Sequence, residues 1–129
     1  MSHHREPVDA PGAPAAVGPY VHAVRAGGLV FCSGQIPLDP ASGEFVGDGP
    51  AEQAERCLDN LAAVAAAAGA TLADAVRITV YLTDIAAFAV VNDVYAGYFD
   101  GSPPARVAIG VAALPRGAQV EMDAVLAVP

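Results

Sequence analysis

Near the middle of this chain the hydrophobic residues change their period from about 3.6 to about 2 within a few positions. Ala54, Leu58, Leu61, Ala65 and Ala68 recur at helical spacing, whereas Val76, Ile78, Val80 and Leu82 alternate with Arg77, Thr79, Tyr81 and Thr83. An apolar helix stripe followed by a half-apolar strand must bury one against the other, which selects layered folds that mix helix and sheet. The helix ends are well marked. Asp48 or Gly49 caps it, Pro50 suits its first turn and Gly69 stops it. Glu52 and Arg56 stand four apart, spaced to pair.

The remaining elements follow from the same reading. Val17 to Arg25 and Leu29 to Gly34 read as strands joined at Gly27-Gly28, a pair that permits the positive φ of a hairpin turn. Residues 37–50 are turn-rich and read as a loop. Asp84 caps a second helix to about Phe99, with Phe88, Val91, Tyr95 and Phe99 on one stripe. Val107, Ile109 and Val111 then alternate with Arg106, Ala108 and Gly110. After Pro115-Arg116-Gly117, Val120, Met122, Ala124 and Leu126 alternate with Gln119, Glu121, Asp123 and Val125.

The order β-β-α-β-α-β-β gives an α+β domain over residues 17–129, with both helices on one face of the sheet. The apolar strand sides, Val107 and Ile109 among them, should meet the helices. The opposite face should carry Arg77, Thr79, Tyr81, Arg106, Glu121 and Asp123. Residues 1–16, with three prolines and no period, read as a loosely ordered arm.

Charge narrows the function classes. The 129 residues carry 14 acids and six bases, net −8, and every base is an arginine. Such a surface repels phosphate backbones and anionic membranes, so neither a nucleic acid nor a membrane is an expected partner. No apolar run is long enough to span a bilayer, and residues 1–16 hold no secretory h-region. Cys32 and Cys57 have no metal or redox spacing and read as packed thiols, so a reducing cytoplasm is the expected location.

Several residues could carry chemistry. Arg106 starts a strand after Pro103-Pro104-Ala105, and its same-face neighbours Ala108 and Gly110 leave room beside a planar guanidinium, the fork suited to a carboxylate. It could equally be solvated or paired with Asp123. Glu121 lies mid-strand; on an occluded face it could hold and deprotonate a water, and on an open one it is an ordinary outward acid. Ser33-Gly34 ends a strand, where side chains and free backbone groups meet ligands or form a plain turn. No histidine is placed to make Ser33 a nucleophile: His3 and His4 lie in the arm and His22 is isolated. For the same reason no metal site is expected. Asn92, on the second helix's apolar stripe, must bond either a strand backbone or a ligand. Tyr20 follows Gly18-Pro19 and is a core or pocket-wall tyrosine. No phosphate-binding or dinucleotide fingerprint is present.

In combination these positions are specific. GPY at 18–20, SGQIP at 33–37, VNDVY at 91–95, PPAR at 103–106, LP at 114–115 and VEMDAV at 120–125 occur in an order that closely resembles the Rid/YjgF family of reactive-intermediate (enamine/imine) deaminases. The resemblance runs from about Ala13 to Val128. It implies a chorismate-mutase-like α+β fold and a homotrimer, with three sheets forming a central barrel, helices outside and ligand clefts between subunits. By motif match Arg106 falls on the family's carboxylate-binding arginine and Glu121 on the acid that positions water. Tyr20, Ser33 and Asn92 fall on cleft-lining positions, and Gly34 on a backbone contact. Many members carry a cysteine two residues after the arginine; this chain has Ala108.

The implied activity is cofactor-free hydrolysis of 2-imino or enamine acids, such as 2-aminoacrylate or 2-iminopropanoate, to 2-keto acids and ammonia. The competing readings are a module that binds small carboxylates without turnover, and the endoribonuclease or translation-inhibitor role attributed to some members, which the charge disfavours. One geometric condition is left open. If the last two strands formed a simple hairpin, Arg106 and Glu121 would lie roughly 20 Å apart. Either another strand must intervene, or the two must meet across a subunit boundary.

Overall fold

The computed structural model describes residues 4–129. Helix α1 spans Pro50–Ala67 with Gly49 at its N-cap and Pro50 in its first turn. Its expected stripe is the core: Ala54, Leu58, Leu61 and Ala65 are fully buried and Ala68 nearly so. The Glu52–Arg56 pair does not form. Arg56 instead bonds Asn60 Oδ1 at 3.2 Å and approaches Asp59 at 4.0 Å.

Six strands form one sheet: β1 (Glu6–Val8), β2 (Ala23–Ala26), β3 (Leu29–Gln35), β4 (Ala75–Leu82), β5 (Ala105–Gly110) and β6 (Val120–Ala127). Their spatial order is β1-β2-β3-β6-β4-β5. Strands β4 and β5 run parallel, joined through α2 (Phe88–Ala96); the other pairings are antiparallel. Both helices lie on one face of the sheet, the α+β arrangement expected. The β2–β3 turn is made by Gly27 and Gly28 at φ +58° and +81°. Asp84 does cap the second helical segment, accepting a bond from the Ala86 N–H, but that segment begins with a 3-10 turn at Ile85–Ala87.

Two expectations are corrected. Residues 4–16 are not a loose arm. β1 pairs with β2, and Val8, Ala10 and Ala13 sit in the core at 7%, 1% and 3% exposure. Small residues without a period conceal burial of this kind, because an alanine fits a shallow dimple that no periodic stripe marks. Residues 1–3, His3 among them, lie outside the described residues.

The second correction concerns β5. Its register pairs Arg106 with Ile78, Ala108 with Val80 and Gly110 with Leu82. Register partners share a face, and Ile78, Val80 and Leu82 are core residues. Arg106 therefore projects to the helix side. Val107 and Ile109 sit beside Thr79 and Tyr81 on the other face, 42% and 41% exposed. Alternation reveals which residues share a side, not which side is covered. On this edge strand the helix side stays half open beyond α2. The other face of the sheet also leaves Phe31 exposed. No helix among the described residues is long and apolar enough to cross a membrane.

Candidate functional site

Strand β6 presents Val120, Met122, Ala124 and Leu126 to the core, so Glu121 and Asp123 project from the helix-free face. Between Cys32 and Gln35 the β3–β6 register shifts, and Ser33 and Gly34 occupy that irregularity. The bulge brings Gly34 against Glu121. A β-carbon at position 34 would overlap the Glu121 carboxylate, so glycine is what lets this acid lie flat across β3.

Glu121 is half-buried, and its acidity is lowered: burial is the main cause, with repulsion from Asp123 second, and both raise its pKa. Asp123 is not the partner of Arg106. It accepts a 2.7 Å bond from the Tyr81 hydroxyl instead.

Around Glu121 lies a cleft of about 480 Å³. Tyr20, Ser33 and Gly34 line it. The segment 14–17 forms an apolar wall, and Ile36, Leu38 and Arg116 contribute to the rim. Ser33 is held rather than free: its Oγ donates to the Val21 carbonyl at 2.6 Å and its N–H to the His22 carbonyl at 2.9 Å. The loop wall is held by Asn60, which is fully buried on α1 and donates to the carbonyls of Ile36 and Leu38 at 3.3 and 3.0 Å.

Arg106 and Asn92 belong to a different hollow, a groove of about 350 Å³ between α2 and the start of β5, lined also by Tyr95, Phe99, Pro103 and Pro104. The guanidinium carbon stands 4.8 Å from the Tyr95 ring centre and 5.2 Å from that of Phe88. Its Nη1 donates to Asn92 Oδ1. This accounts for a polar amide on the apolar stripe: Asn92 orients the arginine. Among the described residues no carboxylate pairs with Arg106, which lines the groove and has donors beyond the one given to Asn92.

Within one chain the two groups are therefore separated. Strand β4 does intervene between β5 and β6. Arg106 shares its row with Ile78 and Ala124, three residues along β6 from Glu121. That puts the two backbones roughly 14 Å apart, with side chains on opposite faces. Two candidate half-sites result: an oriented cation over aromatic rings, and a half-buried carboxylate over a glycine bulge. The thiols take no part in either. Burial, with Asp123 second, pushes Cys32 up to about 12, and burial pushes Cys57 higher still.

Two contributions escaped the sequence reading. The wall at residues 14–17 was hidden in the supposed arm. His22, which carries that wall, looked isolated because its partners Ala10 and Pro14 are bonded through their backbones. Such bonds leave no side-chain signature.

Residues 11–128 match the family model described as endoribonuclease L-PSP. A RutC family protein of Sinorhizobium fredii is 52% identical over 121 residues, 94% of this chain and 96% of that one. The mouse 2-iminobutanoate/2-iminopropanoate deaminase is 46% identical over 121 residues, 94% of this chain and 90% of its own. The crystal structure of E. coli TdcF with bound serine superposes with a TM-score of 0.91 at 38% identity, covering 96% of this chain and 99% of that one.

Proposed function

From the premise that the chain belongs to the Rid/YjgF family, whose model spans nearly its whole length, we propose that it hydrolyses 2-imino acids to 2-keto acids and ammonia at a site assembled between copies. The observation that carries this reading is the pair of half-sites on opposite sheet faces. Each is incomplete alone, and together they supply an acid-binding cation and a water-activating base.

The chemistry needs little else. Arg106 takes the substrate carboxylate in two parallel charge-assisted bonds. That fixes C2 of the imine beside a water held by ionised Glu121. As the water oxygen bonds C2, Glu121 takes a water proton, the C=N electrons go to nitrogen, and the proton passes from Glu121 to that nitrogen. The carbinolamine then collapses: its hydroxyl proton is taken up by Glu121 and handed to the amine, the C–O bond becomes C=O as the C–N bond breaks, and ammonia departs from a 2-keto acid with Glu121 ionised again. In sum, one imine and one water become one keto acid and one ammonia. Burial first, and Asp123 second, raise the basicity of Glu121 above that of an ordinary carboxylate, which favours this proton transfer. Positioning supplies most of the remaining acceleration.

The exposed apolar residues Phe31, Val107 and Ile109 on the helix-free face support burial of that face by further copies, as in a homotrimer. Serine bound to the TdcF relative supports a ligand of amino-acid size and also suits a module that binds without turnover. Keto-acid release from an imine generated in the assay by an amino-acid oxidase separates the two readings. Hydrolysis should be accelerated by the protein and fall about 100-fold in Arg106→Ala. Absence of acceleration by the unaltered chain would sink the enzymatic reading.

A further inference from the structure

His22 is 5% exposed and sits just before β2, at the junction between the N-terminal segment and the cleft. Its ring bridges two backbone groups. The Ala10 N–H donates to Nδ1 at 3.0 Å, and Nε2 lies 2.8 Å from the Pro14 carbonyl oxygen. An amide N–H can donate only to a bare ring nitrogen, and a carbonyl can accept only from a ring N–H. Both bonds together are satisfied by one form alone, the neutral imidazole protonated at Nε2. Asp9 Oδ1, 3.4 Å from Nδ1, is the only acid beside the ring among the described residues.

The backbone of His22 is committed as well. Its carbonyl accepts the Ser33 N–H at 2.9 Å, and the preceding carbonyl, that of Val21, accepts the Ser33 hydroxyl at 2.6 Å. His22 thus ties the apolar wall at 14–17 to Ser33 on β3, next to Gly34, the residue that the Glu121 carboxylate of β6 lies against. Val17, the tip of that wall, is 78% exposed and has little packing of its own to hold it.

We propose that His22 is a positioning residue that fixes the wall at 14–17 relative to Ser33 and so sets how the cleft discriminates among substrate side chains by length. The inference rests on the deaminase reading for its substrate and on the imidazole geometry for its mechanism. With Arg106 holding the carboxylate and Glu121 the water, the substrate side chain must lie along whatever apolar surface remains. Pro14, Ala15, Ala16 and Val17 supply that surface only while the segment is held in place. A short side chain reaches little of it; a branched five- or six-carbon acid reaches much of it. A methylene in a shaped apolar pocket is worth roughly 10-fold or more in discrimination.

The test compares kcat/KM for the imines of alanine and leucine in the unaltered protein, His22→Phe and His22→Gln. Phe keeps the ring volume and loses both bonds; Gln can offer one acceptor and one donor. The expected result is a ratio, leucine-derived over alanine-derived, that falls about tenfold in His22→Phe through KM, with partial recovery in His22→Gln. An unchanged ratio, or an equal loss for both imines, overturns the inference and leaves the deaminase reading standing. A second measurement needs no activity. Nitrogen chemical shifts of His22 should report the neutral Nε2-protonated form, with the Ala10 amide slow to exchange in the unaltered protein and fast in His22→Phe. Any other tautomer, or an Ala10 amide that exchanges equally in both, overturns the clamp even if no imine is turned over.

Discussion

Arg106 and Glu121 leave one sheet by opposite faces, on strands separated by β4. A single substrate can touch both only if they come from different copies. Two inactive variants should therefore rescue one another. Arg106→Ala retains the Glu121 half-site, and Glu121→Gln retains the Arg106 half-site. Unfolded together at equal amounts and refolded, they should recover about a quarter of the unaltered activity, since random neighbours place the two intact halves together at about that frequency. Keto-acid release is the readout, with each variant refolded alone as control. No recovery in the mixture would mean that one chain supplies both groups.

Gly34 separates fold from function. A methyl group there meets the tip of the Glu121 side chain, which can swing away, rather than backbone, which cannot. Gly34→Ala should therefore melt within a few degrees of the unaltered protein while kcat/KM falls about tenfold or more, as the displaced carboxylate no longer holds water at C2. Thermal denaturation and imine hydrolysis measured on one preparation check this. A large loss of stability with kcat/KM per folded molecule preserved would contradict the assigned role of the glycine.

The local parts of the fold were legible because their physics is local. The caps and stripe of α1, the Gly27-Gly28 turn and the alternation of β4 and β6 all depend on neighbours within a few residues. The candidate site residues stood out as motifs; Tyr20, Ser33, Gly34 and Glu121 line one cleft, and Asn92 and Arg106 line another. What stayed hidden depends on distant pairing. The insertion of β6 between β3 and β4 is set by long-range register. The side taken by Arg106 followed from that register, and Val107 and Ile109 imitated a core stripe because they are apolar residues on a face that this chain's helices do not cover.

Both thiols should be inert in the folded protein. Cys32 and Cys57 are buried, and burial holds each in the protonated form far above neutral pH. A disulfide-exchange reagent at pH 8 should titrate no thiol in native protein and two per chain in denaturant. Imine hydrolysis should survive prolonged incubation with the reagent, because neither cysteine lines the cleft or the groove. Loss of activity in step with modification of one thiol would implicate a cysteine in the site.

Glu121 should impose the acid limb of the pH–rate profile. It works as a base only when ionised, and burial first, Asp123 second, hold its pKa above the ordinary carboxylate value. Activity should therefore rise with pH through that raised value. Asp123→Asn removes the second cause but keeps an oxygen to accept the Tyr81 hydroxyl. The limb in kcat/KM should then move to lower pH without disappearing, because burial still acts. Stability carries the opposite sign. A carboxyl whose folded pKa exceeds its unfolded one favours the fold below the unfolded value and loses that contribution as pH rises through the folded value. Glu121→Gln should accordingly raise the melting temperature at neutral pH relative to the unaltered chain, and the difference should shrink below the ordinary carboxylate range. A limb that stays put in Asp123→Asn, together with a Glu121→Gln melting difference independent of pH, would show that this carboxyl is not the titrating base.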